Sequence, residues 1–162
     1  MSFGIRRIQW NARQGLLVNG RSVKLRGACV HHDNGVVGAC AFPESEERRV
    51  RKLKQAGFNA IRSAHNPCSA AMLDACDRYG VYVIDEAWDM WYNHKTRYDY
   101  ADNWEANWQQ DLTAMARRDY NHPSVIAYSI GNEVSETAFP QGVETADKLT
   151  RFVHALDDTR PV

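Results

Sequence analysis

The chain has 162 residues, with 20 basic and 20 acidic side chains, so its formal charge at neutral pH is zero. That length suits one domain with a packed core. Balanced charge argues against a nucleic-acid partner, or a membrane surface held by charge. No apolar run approaches the roughly 20 residues of a membrane helix.

No leader of basic, then apolar, then small residues opens the chain, which leaves cytoplasm and periplasm both open. The four cysteines, Cys29, Cys40, Cys68 and Cys76, form no CxxC pair and do not interleave with histidines at zinc-finger spacing. They read as reduced, mostly buried thiols.

The first elements are extended. Ile5, Ile8 and Trp10 lie in a β-prone run, and Asn19-Gly20 stands between Leu16-Leu17-Val18 and Val23-Lys24-Leu25. Asn-Gly between apolar runs predicts a hairpin with a tight two-residue turn.

The pattern then alternates. A strand over 25–30 precedes a helix opened by Pro43 and the acids Glu44, Glu46 and Glu47, and closed by Gly57. Residues 58–61 form a second strand. Ser69 caps a second helix whose Met72, Leu73, Cys76 and Tyr79 share one face, and Gly80 ends it. The apolar run 81–84 is a third strand, as expected where both sheet faces are covered.

A polar and aromatic stretch, 88–103, leads to a third helix over 104–120 with a stripe of Trp104, Trp108, Leu112 and Met115. Asp102 and Glu105 fit a capping pair there. His122-Pro123 breaks it, 125–130 is a fourth strand, and a fourth helix over 143–156 packs through Ala146, Leu149, Val153 and Leu156.

Strand and helix in alternation mean parallel strands joined by right-handed crossovers. The fold class is therefore α/β: about four β/α units preceded by a β-hairpin. Either half of a (β/α)8 barrel or a small doubly wound sheet fits. The latter usually brings a glycine-rich phosphate loop after its first strand, and Gly27-Ala28-Cys29-Val30 is not one.

Every predicted strand ends in polar chemistry. His31, His32 and Asp33 follow the first, Arg62 and His65 the second, Asp85 and Glu86 the third, and Asn132 and Glu133 the fourth. On a parallel barrel these ends form one rim, where active sites lie. Singly, each has a plainer reading: an ion pair for Arg62, a turn cap for His65, a helix-start acid for Asp85-Glu86. Glu133 follows the apolar run Val125-Ile126-Ala127 closely, which predicts a partly desolvated carboxyl, the setting that keeps an acid protonated.

Several runs carry a resemblance. They are Val18-Asn19-Gly20 with Leu25-Arg26-Gly27, Gly57-Phe58-Asn59-Ala60-Ile61-Arg62 with His65-Asn66-Pro67, and Cys76-Asp77-Arg78-Tyr79-Gly80. Val83-Ile84-Asp85-Glu86, Asn121-His122-Pro123-Ser124-Val125 and Gly131-Asn132-Glu133 complete the set. Together they resemble the catalytic TIM barrel of the family 2 glycoside hydrolases, which holds β-galactosidases, β-glucuronidases and β-mannosidases. The stretch from Asp85 to Trp91 is most similar to bacterial β-galactosidases.

The resemblance implies a lead-in hairpin over 1–23 and the first half of a glycosidase barrel over 24–162. It implies a retaining mechanism on a β-linked carbohydrate, in which one carboxylic acid protonates the leaving oxygen while a second carboxylate, roughly 5–5.5 Å away, attacks the sugar. Glu133 matches the acid/base. Asn132 matches the residue that binds the sugar 2-hydroxyl, and His31, Asp33, Arg62, His65 and Glu86 match positions that shape the subsite.

Trp88 stands where some β-galactosidases place a magnesium-binding histidine, so no metal or cofactor is expected. Trp88 and Trp91 either stack on a sugar face or pack the barrel. Nothing in the chain matches the nucleophile, so the isolated chain is expected to be inactive. Its half-barrel edges would be open to pairing with a second copy.

Overall fold

The computed structural model describes residues 3–162. It contains two sheets. The first is a three-stranded antiparallel sheet of β1 (Ile8–Asn11), β2 (Gly15–Val18) and β3 (Arg21–Ser22). Val18 pairs with Arg21 across Asn19-Gly20. Both turn residues have positive φ, 51° and 77°, as a tight turn matched to strand twist requires. This lead-in docks at the start of the barrel sheet, where Arg6 Nε donates to the Pro123 carbonyl at 2.6 Å.

The second sheet is parallel, in the order β4 (Gly27–Val30), β5 (Ala60–Ser63), β6 (Tyr82–Glu86) and β7 (Val125–Ser129). Each strand pairs with the next in sequence, with no reversal of order. That decides between the two architectures, because a doubly wound sheet reverses at a switch point. The helices are α1 (Pro43–Gln55), α2 (Ala70–Tyr79), α3 (Ala101–Asp119) and α4 (Pro140–Leu156). α1 packs on α2 and α3 on α4.

Strand register separates two faces. Ala28, Ile61, Val83 and Val125 stand in one row. Ile61, Val83 and Val125 are buried in one core with Leu73, Cys76, Leu112, Leu149 and Val153 from the helices. The alternate row holds Cys29, Arg62, Ile84 and Ala127. Ile84 and Ala127 are only partly buried and Cys29 is exposed, because this row faces the lumen side.

Ser69 caps α2, its hydroxyl accepting from the Met72 amide at 3.1 Å, a contact worth about 1 kcal/mol. Gly80 ends the helix in the left-handed region at φ 66°. The predicted stripe of α3 is buried throughout, with Trp104 fully enclosed by Trp88, Tyr92 and Trp108.

Three expectations change. β5 and β6 end two residues beyond the apolar runs, so β6 includes Asp85 and Glu86, whereas β4 starts later and β7 ends earlier than predicted. α3 starts earlier and Asp102 lies inside its first turn, where its carboxylate meets His94 Nε2 at 3.0 Å. Asp99, two residues before the helix, ties the incoming loop to it, accepting from the amides of Thr96 and Ala101, while the N-cap residue Tyr100 makes no side-chain cap bond. Finally, only Cys68 and Cys76 are buried, where burial pushes both thiols well above their usual range. Cys29 and Cys40 are exposed, since β4 is an edge strand and Cys40 lies in the loop that follows it.

The β7 edge is also less open than expected. The chain after α4 returns along it, and the Tyr128 amide donates to the Pro161 carbonyl at 3.0 Å.

Candidate active site

Alternation along β6 sends Asp85 and Glu86 to opposite faces. Asp85 turns to the helices, where it accepts from the Cys68 amide at 2.9 Å. Burial, and then the neighbouring Asp119, push its carboxyl well above the usual carboxylate range. It is a core residue, not a rim residue.

Glu86 turns to the lumen side and is fully buried. Its Oε1 lies 2.6 Å from His65 Nδ1, its Oε2 accepts from Ser129 Oγ at 2.6 Å, and Arg62 Nε lies 3.5 Å from Oε2. A carboxylate that close makes Nδ1 the protonated nitrogen of His65. The 3.2 Å contact between Arg62 Nη2 and the same nitrogen is then not a hydrogen bond. His65 Nε2 is left for another partner. Its ring stands edge-on to His31, with centroids 5.2 Å apart.

Arg62 carries the network to the end of β7, where Nη2 donates to Asn132 Oδ1 at 3.0 Å. Asn132 Nδ2 donates to Asp89 Oδ1 at 2.8 Å. Lys95 Nζ lies 2.7 Å from the same Asp89 oxygen and also donates to the Asn132 carbonyl. Burial opposes ionisation of Asp89, but Lys95 and Asn132 outweigh it and hold its carboxyl below the usual range.

Glu133 follows at φ 45°, a left-handed conformation that costs a non-glycine residue on the order of 1–3 kcal/mol. Its side chain is exposed, in contrast to the partial desolvation expected. The turn after β7 carries it out past the strand end.

Five of the candidate residues thus come together: His31, Arg62, His65, Glu86 and Asn132, with Glu133 next in chain. Asp33 points into its own loop, where Oδ1 accepts from the Gly35 amide at 3.1 Å. Trp88 is 5 % exposed, packs edge-on to Trp104 and donates from Nε1 to Asp111 at 3.1 Å. Trp91 is 2 % exposed and donates to the Ile130 carbonyl. Both indoles pack the fold here.

Asp89 and Lys95 escaped the strand-end reading because they lie in the long segment after β6. The signal for them was weak: an acid and a base six apart in a stretch with no periodicity. A cavity of about 490 Å³ opens beside the cluster, between the β5–α2 loop and α3, with His65, Trp88, Asp89, Met90, Tyr100 and Arg118 among its walls.

Among the described residues, Asp74, Asp77 and His122 are close enough to share a cation. They lie before β7, away from the rim. Asp77 is already engaged there by the His122 ring at 2.7 Å and the Ser124 amide at 2.9 Å.

Comparison with known proteins bears on the family and the fold. The model of the family "Glycosyl hydrolases family 2, TIM barrel domain" matches residues 11–162. Beta-galactosidase BoGH2A of Bacteroides ovatus is 40 % identical over 98 % of the chain, which spans 22 % of that protein's length. A putative beta-glucuronidase of Formosa agariphila is 36 % identical over 98 % of the chain, which spans 15 % of its length. A crystal structure of a glycosyl hydrolase family 2 member from Bacteroides cellulosilyticus superposes with a TM-score of 0.94 at 52 % identity. It covers 98 % of this chain and 20 % of its own. The sheet order, the family match over residues 11–162 and the likeness to the solved structure lead to one conclusion: the chain belongs to glycosyl hydrolase family 2, with the fold of its TIM barrel domain.

Proposed function

We propose that this chain supplies the acid/base half of a retaining β-glycosidase site acting on terminal β-galactosides. The observation that carries the reading is the network from Glu86 through Arg62 to Asn132, which ends one residue before Glu133. In this scheme Glu133 protonates the leaving oxygen, then takes a proton from the water that releases the sugar. Asn132, fixed by Arg62 and Asp89, contacts the sugar 2-hydroxyl, an interaction that strengthens as positive charge develops. His31 and the free Nε2 of His65 contribute to the sugar-binding wall.

The exposed position of Glu133 supports a further reading. The second carboxylate lies outside this chain, and residues that would bury the acid are supplied from elsewhere. The isolated chain should then leave aryl β-galactosides intact. When it is joined to the second half of a family 2 barrel, turnover should appear and vanish in Glu133→Gln. Turnover by the isolated chain that disappears with that substitution would sink the claim that the nucleophile is missing. Preference for a β-glucuronide or β-mannoside over the galactoside would move the sugar assignment to the alternative that the glucuronidase relative supports. Galactose binding without turnover in the joined protein would favour a non-catalytic carbohydrate-binding domain.

For the isolated chain we also propose pairing of two copies through the outer edge of β4, which has no partner strand among the described residues.

A further inference from the structure

The segment after β6 is stitched to the turn after β7 at successive points. Trp91 Nε1 donates to the Ile130 carbonyl at 2.6 Å. The amides of Tyr92 and Asn93 both donate to Glu136 Oε1 at 2.8 Å, and Glu136 is only 4 % exposed. Asn93 Nδ2 donates to Ser135 Oγ at 3.0 Å. In the middle of this seam Lys95 Nζ donates to the Asn132 carbonyl, the peptide oxygen immediately before Glu133.

The arrangement bears on a specific difficulty. Glu133 is a non-glycine residue at φ 45°, and in sequence it lies between Asn132 and the buried Val134. An extended or right-handed backbone there would send its carboxyl elsewhere. The peptide plane between Asn132 and Glu133 must therefore be held, and its carbonyl is the atom Lys95 grips. Asp89 fixes that ammonium and, through the same Oδ1, the Asn132 amide. One carboxylate oxygen thus sets both the side chain and the backbone of the residue before the acid.

We infer that Lys95, held by Asp89, is a positioning residue for Glu133: by gripping the Asn132 carbonyl it orients the proton donor toward the leaving-group oxygen. This rests on the assignment of Glu133 as general acid/base. Lys95 touches no reacting atom. Its effect is on the geometry of proton transfer, so it should matter only where the leaving group needs a proton.

The experiment uses a polypeptide joining residues 1–162 to the rest of a family 2 barrel, with two galactosides. One has an alkyl leaving group, which must be protonated to depart; the other has a strongly electron-poor phenol, which departs unaided. The rate constant compared is kcat/KM, which reports the bond-breaking step. Lys95→Met should lower kcat/KM at least about ten-fold on the alkyl galactoside and less than about two-fold on the phenyl one, a part of the 10²–10⁴-fold that a positioned acid contributes. Lys95→Arg, which keeps a donor on that carbonyl, should restore most of the loss.

Equal losses on both substrates would show a merely structural role and overturn the proposal, as would no loss on either. Glu133→Gln is run in parallel. If it lacks the leaving-group dependence, the acid assignment itself fails. If it shows the dependence and Lys95→Met does not, only the positioning role fails. The thermal midpoint of each variant separates misfolding from misplacement.

Discussion

Replacing Arg160 with methionine tests how the end of the chain is held against β7. The Arg160 side chain is 3 % exposed. Nε donates to the Val125 carbonyl at 2.8 Å, and Nη2 to the carbonyls of Tyr120 at 2.8 Å and His122 at 3.1 Å. Nη1 pairs with Asp157 Oδ2. Arg160→Met keeps most of the volume and strands the Asp157 carboxylate, which is itself fully enclosed, with only neutral donors: the Thr159 amide and hydroxyl and the Tyr128 hydroxyl. An uncompensated buried charge costs about 3–5 kcal/mol. With a urea slope of about 2 kcal/mol/M, the unfolding midpoint should fall by roughly 1.5–2.5 M.

The loss should depend on pH in a definite direction. Burial raises the Asp157 carboxyl, but Thr159 and Arg160 outweigh it and hold it below its ordinary range. Its stabilisation is present above the unfolded value of about 3.9 and is lost as pH falls through the folded value. The gap between wild type and Arg160→Met should therefore close in acid. Adding Asp157→Asn to the variant removes the stranded charge and should recover part of the loss near neutrality. A midpoint shift below about 0.5 M, or no recovery in the double variant, would refute the argument that a buried charge pair holds this corner.

Two further outcomes follow from the same style of reasoning. The Asp77 hydrogen bond raises His122 above its ordinary value against the opposing effect of burial, so its stabilisation is complete below about pH 6.5 and lost as pH rises through the raised value. Asp77 is pushed up by burial and down more strongly by His122 and Ser124, so its share is lost only as pH falls through the lowered value. His122→Asn should therefore cost most in mildly acidic urea titrations, on the order of 1 kcal/mol, and less at alkaline pH; an equal cost at both would contradict the linkage. Light scattering of the isolated chain at micromolar concentration should give about twice its 18.5 kDa, and a monomer would count against pairing through the β4 edge.

The elements were legible because each is locally encoded. Asn19-Gly20 has one good turn, Ser69 and Gly80 bracket α2, and the stripe from Trp104 to Met115 admits one buried face. The strand order was legible only as two alternatives, since alternation of β and α does not say on which side the next strand is added. The capping pair at Asp102 and Glu105 looked right by spacing, but the helix begins at Ala101 with Tyr100 as its N-cap, so both acids fall inside it.

The site divides in the same way. Residue types at strand ends marked the rim, and the motif ending in Glu133 marked a candidate for the chemistry. By itself the sequence determined the barrel's building blocks, the family resemblance and the acid/base candidate, because these rest on short-range patterns and contiguous motifs. Only the tertiary structure decided that Asp85 faces the core while Glu86 faces His65 and Arg62 at the rim, that Trp88 packs against Trp104, and that Asp89 and Lys95 grip the turn before Glu133. Two physical reasons account for the three. Adjacent residues on a strand face opposite ways, and residues 43 apart, such as Asp89 and Asn132, meet only after the parallel strands that carry them have paired.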